Sequence, residues 1–209
     1  MKQKIFPSVM AKNQQELDEM LQRLAGLAKE LHLDVADGKF VPNTSLWFSL
    51  KIPSTFRYNV HLMIADPLTW IKEYGKKVET IIFHPEAGQD ADTVMRKIKQ
   101  IKKKVGLALK PETTAASIKK YLPHLDYVLI LTVHPGFYGA KYLKYPLKKI
   151  PAIKKMNPDV KVIVDGGMNP ETAKEAAKAG ADYIVSGSFI TKAEKPNERM
   201  REMEKSFSE

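Results

Sequence analysis

Residues 161–188, KVIVDGGMNPETAKEAAKAGADYIVSGS, hold a strand, a helix and a second strand in succession. Lys161–Val164 is short, β-branched and mostly apolar on both faces, as a strand covered on both sides must be. Glu171–Ala179 is rich in helix formers, and Gly180 supplies a stop. Tyr183–Val185 repeats the apolar run. The same alternation extends through the chain. Further strands are expected at Ile5–Val9, Leu31–Val35, Tyr58–Leu62, Thr80–Phe83, Val105–Leu109 and Tyr127–Leu131. Helical spacing fills most intervals: Leu17, Leu21, Leu24 and Leu27; Thr69–Tyr74; Val94, Ile98 and Ile101; Thr113–Tyr121; and a last helix at Asn197–Phe207. The connection Asn43–Phe56 is irregular and has the weakest helical pattern. Eight strands with seven crossovers and a last helix predict an α/β fold, a (β/α)8 TIM barrel. An open doubly wound sheet of six or seven strands is the other architecture this pattern admits.

The chain has 209 residues and no linker, low-complexity segment or composition break, which predicts one barrel domain over residues 1–209. It contains no Cys. That excludes a disulfide scaffold, a thiolate-ligated zinc, an iron–sulfur cluster and a thiol nucleophile. The 34 Lys+Arg against 24 Asp+Glu leave a net charge of +10, which points to nucleic acid, an anionic membrane surface or a small anionic substrate. Lysines 97, 99, 102, 103 and 104, and 144, 148, 149, 154 and 155, fall mainly on predicted helices and read as solvated outer faces. No RNA-binding aromatic motif, basic tail or zinc finger accompanies them, so nucleic acid is not expected as a partner. No run approaches a membrane span, and MKQKIFPSVM has no apolar stretch of signal length. The expectation is a cytoplasmic protein without a membrane partner.

In such a barrel, chemistry gathers at the C-terminal ends of the strands. The strand ends read L-H32-L-D34-V-A-D37-G, N-V-H61-L-M63, I-F-H84-P-E86, L-T132-V-H134-P-G136-F, V-D165-G166-G167 and V-S186-G187-S188. His32 and Asp34 are two apart, so both point to one face, with Leu33 and Val35 on the other. His61 and Asp165 end two further apolar strands. Two imidazoles and two carboxylates converging on one barrel mouth predict a site for one divalent metal. Nitrogen and oxygen ligands without thiolate suit Zn2+, Fe2+, Mn2+ or Co2+. Glycines form a second constellation: Gly136 and Gly139 in one loop, Gly166 and Gly167 after Asp165, and Gly187 with Ser188 after the last strand. Glycine lets backbone N–H groups approach an anion, and barrels often hold phosphate in their last two strand–helix loops. His84 and Glu86 lie near the mouth, either as outer partners of the cluster or as hydrogen-bonded structural residues. Trp47 and Trp70 read as packing under the rim, and Met10 and Met63 as core or pocket wall.

These pieces resemble the ribulose-phosphate 3-epimerase (pentulose-5-phosphate 3-epimerase) family. They run in order along nearly the whole chain: P-S8, H32-L-D34-V-A-D37-G-K-F-V-P-N43, H61-L-M63, F-H84-P-E86, G-L-A-L-K-P, L-T-V-H-P-G136-F-Y-G139, V-D165-G166-G167 and A-G-A-D-Y-I-V-S-G187-S188. The resemblance implies a ribulose-phosphate-binding barrel that binds one divalent metal, usually zinc, and epimerises C3 of a ketose phosphate. It implies His32, Asp34, His61 and Asp165 as metal ligands, with Asp34 and Asp165 also the acid–base pair on opposite faces of the sugar. Ser8 and His61 would contact substrate, Gly136, Gly139, Gly166, Gly167, Gly187 and Ser188 would hold the phosphate, and His134–Lys141 would form a lid. The implied reaction interconverts D-ribulose 5-phosphate and D-xylulose 5-phosphate through a metal-stabilised enediolate. Family members are usually oligomers, so a homo-oligomer is expected. The chain departs from the family in having Ala36 and Leu131 where Met is common. Its lid reads Pro135-Gly136-Phe137-Tyr138-Gly139-Ala140 in place of P-G-F-G-G-Q. Ala36 would leave room for a six-carbon sugar, which keeps a related epimerase acting on D-allulose 6-phosphate as the alternative. The lyases and decarboxylases of the wider group typically use D-x-K-x-x-D, and here Ala36 stands where the Lys would be.

Overall fold

The structure is a computed structural model that describes residues 4–135 and 140–208. Gly136 and Gly139, two of the expected phosphate-binding residues, lie outside the described residues, as do Phe137 and Tyr138 of the expected lid. Among the described residues there are nine strands: β1 (Ile5–Val9), β2 (Glu30–Asp37), β3 (Thr44–Ser45), β4 (Arg57–Met63), β5 (Thr80–Phe83), β6 (Lys104–Leu109), β7 (Tyr127–Leu131), β8 (Lys161–Asp165) and β9 (Tyr183–Ser186). All except β3 pair in parallel, in the order β1-β9-β8-β7-β6-β5-β4-β2. β1 also pairs with β2, Ser8 opposite His32, and this closes the sheet into a barrel. That closure excludes the open sheet. β3 is a short antiparallel addition on β2, lying within the irregular connection, which contains no helix.

Strand alternation divides the core in two. Leu31, Leu33 and Val35 of β2, Val60 and Leu62 of β4, and Val162 and Val164 of β8 face outward into one large apolar layer. That layer is shared with α1 (Gln14–Leu24), α2 (Pro67–Tyr74), α3 (Ala91–Gln100), α4 (Lys149–Met156), α5 (Pro170–Lys178) and α7 (Pro196–Ser208); α6 (Ser188–Thr191) is a single turn. The opposite parity points inward. Phe6, Ile82, Leu129, Ile163, Tyr183 and Val185 belong to a separate buried cluster that plugs the barrel. Phe6 stacks on Tyr183 with ring centroids 5.2 Å apart. The inward positions of β1, β2, β4 and β8 also carry Ser8, His32, Asp34, His61 and Asp165, so the polar groups share one interior with the plug.

Helix ends follow local chemistry. Asn13 caps α1 by accepting from the Glu16 amide. Asn169 and Thr172 form a reciprocal capping box at α5, with Pro170 in its first turn. Two expectations fail. Leu27 shares the α1 leucine spacing, yet α1 stops at Leu24 because Gly26 takes a left-handed φ of 76°. Thr113–Tyr121 is not an α-helix. It folds as a 3-10 turn (Ala115–Ile118), followed by another at Leu122–His124. Pro111 and Pro123 bracket the segment, and the residue before a proline is steered away from helix. The interval is too short to offset nucleation, so i to i+3 bonds carry the chain to β7. Trp70 is buried as expected, whereas Trp47 is 48% exposed. Leu46, at φ 51°, takes the buried place and turns its neighbour outward.

Asp37 ties the ends of β2 and β4 together. One carboxylate oxygen accepts from the Lys39 and Phe40 amides (2.8 and 2.9 Å) and the other from Ala65 N–H at 2.7 Å. Asp37→Ala leaves these donors unpaired and is expected to lower stability by roughly 1–3 kcal/mol. The urea midpoint measures this, and an unchanged midpoint would contradict the assignment.

Candidate active site

The site begins with two registers. Asp34 lies opposite His61 across β2 and β4, and Leu131 lies opposite Asp165 across β7 and β8. Asp165 is three strands round the wall from Asp34, past β1 and β9. Barrel curvature brings them together: one ligand atom from each of His32, Asp34, His61 and Asp165 lies within 4.8 Å of all the others. His32 and His61 are fully buried, and Asp34 is 6% exposed. His61 Nδ1 stands 3.2 Å from Asp34 Oδ1 and 3.9 Å from Asp165 Oδ2. His32 Nε2 is 3.5 Å from Asp34 Oδ1. The Ser8 hydroxyl donates to Asp34 Oδ2 at 2.9 Å.

Asp34 is the electrostatic centre. Burial alone would raise its pKa, but His32 and His61 outweigh it and hold the carboxyl well below the usual range. His32 is the converse: burial lowers it, Asp34 opposes, and the net shift is upward. His61 is lowered, chiefly by burial. For Asp165, burial and the Asp34 charge outweigh His32 and the Gly166 amide and push it up to about 7. Two carboxylates within one small space thus hold protons very differently.

The donor set fits a divalent metal. Two imidazoles and two carboxylates converge, and both His32 ring nitrogens are buried with no hydrogen-bond partner among the described residues. A buried polar atom left unpaired costs free energy, and a cation would give one of these nitrogens its missing partner. His61 is fixed on both sides, since its Nε2 lies 2.9 Å from His84 Nε2.

A cavity of about 360 Å³ opens over this cluster, within the size range of small-molecule sites. Ser8, Asp34, His61 and Asp165 line it together with Gly166, Gly167, Gly187 and Ser188. Gly166 has φ 111°, and a Cβ there would meet Val133 Cγ2 at 2.6 Å. Gly167 has φ 67°. These glycines are therefore required by backbone geometry as well as by open access to the cavity. Met10 and Met63 are pocket wall. Leu131 lines the cavity, but Ala36 does not. It is buried in a cluster with Val41 and Met63, against which Phe40 packs. The extra room expected from Ala36 is thus filled by its neighbours. His134 is exposed and faces Glu112 at 3.1 Å.

One positioning residue has no role in the sequence reading. Thr132, fully buried, donates its hydroxyl toward the carbonyls of Asp165 and Gly166 (2.9 and 2.6 Å). Its signal was a hydroxyl at the end of an apolar strand. Gly166→Ala is expected to destabilise the protein by about 1–3 kcal/mol through the Val133 overlap and the strained φ. Gly88→Ala, with open space around it, is the near-neutral control. Equal thermal midpoints for the two variants would contradict the packing at Gly166.

The sequence pattern described as "Ribulose-phosphate 3 epimerase family" matches residues 4–191. A ribulose-phosphate 3-epimerase of Mycobacterium tuberculosis is 34% identical over 201 residues, covering 92% of this chain and 87% of that protein. A ribulose-phosphate 3-epimerase, cytoplasmic isoform, of Oryza sativa subsp. japonica is 32% identical over 213 residues, covering 97% and 93%. Among solved structures, 3-hexulose-6-phosphate synthase from Salmonella typhimurium superposes with a TM-score of 0.69 at 14% identity, covering 99% of both chains. That last likeness is one of fold alone.

Proposed function

The chain belongs to the ribulose-phosphate 3 epimerase family of carbohydrate epimerases, and on that premise we propose that it interconverts D-ribulose 5-phosphate and D-xylulose 5-phosphate. The observation that carries this reading is the meeting of Asp34 and Asp165, from strands well separated in the barrel wall, over one cavity. Inverting a carbon next to a ketone requires a proton to leave one face and another to arrive on the opposite face. Two carboxylates on either side of C3 perform that exchange, one accepting as the other donates. In the reverse reaction they swap roles. Ser8 fixes the direction of the Asp34 carboxylate through the bond to Oδ2, leaving Oδ1 toward the cluster. Thr132 fixes the backbone at Asp165. Gly166, Gly167, Gly187 and Ser188, which line the same cavity, hold the substrate phosphate in this reading, and that grip orients C3 between the carboxylates. Gly136 and Gly139 complete the phosphate site in this reading.

His32, Asp34, His61 and Asp165 would hold one divalent metal, most simply Zn2+ for this donor set, with Fe2+, Mn2+ and Co2+ also suited. When bound, the metal supplies Lewis-acid stabilisation of the oxyanion that develops as C3 loses its proton. The apolar plug beneath and the cavity walls limit water around the labile enediolate. The protein acts as one domain over residues 1–209, in the cytoplasm and as a homo-oligomer, by analogy with its family. No helix among the described residues is long and apolar enough to cross a membrane.

Metal-loaded protein incubated with either pentulose phosphate in deuterated water is expected to place deuterium at C3. Asp34→Asn and Asp165→Asn should each lower turnover by roughly 10²-fold or more. Near-normal turnover in either variant would contradict the two-carboxylate mechanism. Faster turnover of D-allulose 6-phosphate than of both pentulose phosphates would overturn the substrate assignment. Chelator treatment should abolish activity, and added Zn2+, Fe2+, Mn2+ or Co2+ should restore it.

A further inference from the structure

His84 follows β5 directly and is fully buried. Its Nε2 lies 2.9 Å from His61 Nε2, with ring centroids 5.0 Å apart. Two ring nitrogens at that distance form a hydrogen bond only when one proton lies between them. The opposite nitrogen of His61, Nδ1, faces Asp34 and Asp165. On the far side of His84, Nδ1 stands 3.6 Å from Glu86 Oε2. Glu86 in turn accepts a hydrogen bond from the Thr113 hydroxyl. Phe40 closes over the His84 ring at 4.8 Å between centroids.

We propose that His84, biased by Glu86, is a positioning residue that sets the His61 tautomer and so presents the His61 Nδ1 lone pair to the metal. This rests on the metal-centre reading above. The proton count runs in one direction only. A neutral His61 that ligates through Nδ1 must carry its proton on Nε2, pointing at His84. His84 Nε2 must then accept, so the His84 proton sits on Nδ1, beside Glu86. At 3.6 Å the carboxylate is beyond a direct hydrogen bond, but its charge favours a proton on the nearer nitrogen. The reverse arrangement places the His84 proton on Nε2. It forces His61 to carry its own proton on Nδ1, donating to Asp34, and no lone pair is left for a cation. Asp34, 3.2 Å from His61 Nδ1, favours that state while no cation is bound, and Glu86, at the far end of the His61–His84 pair, opposes it. Partners of this kind behind a ligating histidine are commonly worth 10–100-fold in metal affinity.

The test is Zn2+ affinity of the full-length protein by competition with a chelator, together with the 15N tautomer signature of His61 in the metal-free protein. His84→Leu, which leaves the His61 Nε2 proton unpaired, should weaken Zn2+ binding by ~10–100-fold. His84→Gln, whose amide oxygen falls near the lost Nε2, should recover most of that loss. In the metal-free protein Glu86→Ala should move His61 population further toward the Nδ1 proton that Asp34 accepts at 3.2 Å, and should weaken Zn2+ binding. If His84→Leu does not fold, Glu86→Ala carries the test alone, since that side chain is 34% exposed. Zn2+ binding unchanged from wild type in both His84→Leu and Glu86→Ala would overturn this inference and leave the metal centre standing. Identical His61 tautomer populations in the wild-type and Glu86→Ala metal-free proteins would do the same. Absence of Zn2+ binding in the wild-type protein would overturn the metal centre itself.

Discussion

A carboxylate, Asp34, buried inside an apolar barrel and held by two imidazoles and a serine hydroxyl, is the constraint on which the rest of the site depends. A buried charge is costly unless it is paired and hydrogen-bonded. Ser8, His32 and His61 supply the pairing, and they come from the three adjoining strands β1, β2 and β4. Closure between β1 and β2 is therefore both the step that makes the barrel and the step that satisfies Asp34. Asp165 enters the same space from the other side with no comparable set of partners, and its carboxyl is driven up to about 7. The asymmetry between two carboxylates of the same chemical type comes from their surroundings, as acid–base chemistry near neutral pH requires.

The strand alternation that builds the core also builds the site. Outward positions bind the helices, and inward positions are apolar at the bottom and polar at the top. A shift of one residue in β2 would turn His32 and Asp34 into the helix layer and destroy core and cluster together. Structural stability and site geometry are in this way enforced by the same registers.

Most of this was legible in the residues. A strand covered on both faces is a continuous apolar run, so a His or Asp within it stands out, and period-two spacing alone groups His32 with Asp34. Gly166 and Gly167 were legible as a pair, although their positive φ angles and the closeness of Val133 were not. What the sequence conceals is set by tertiary contacts. Thr113–Tyr121 has helix-forming residues but too short an interval between prolines. Trp47 faces outward because Leu46 takes a left-handed turn. Ala36 reads as lost volume, yet Phe40, Val41 and Met63 come from other stretches to fill it. The contact of His84 with His61 joins β5 to β4, and sequence reading could place both near the mouth without deciding whether they meet.

The central claim is that one cation is held jointly by His32, Asp34, His61 and Asp165. Anomalous diffraction from crystals of the Zn2+-loaded protein tests this most directly. The account predicts one strong peak per chain at the barrel mouth, within bonding distance of a nitrogen from each histidine and an oxygen from each aspartate. A fully loaded protein with its peak elsewhere, or one bound without Asp34 or Asp165, would contradict it.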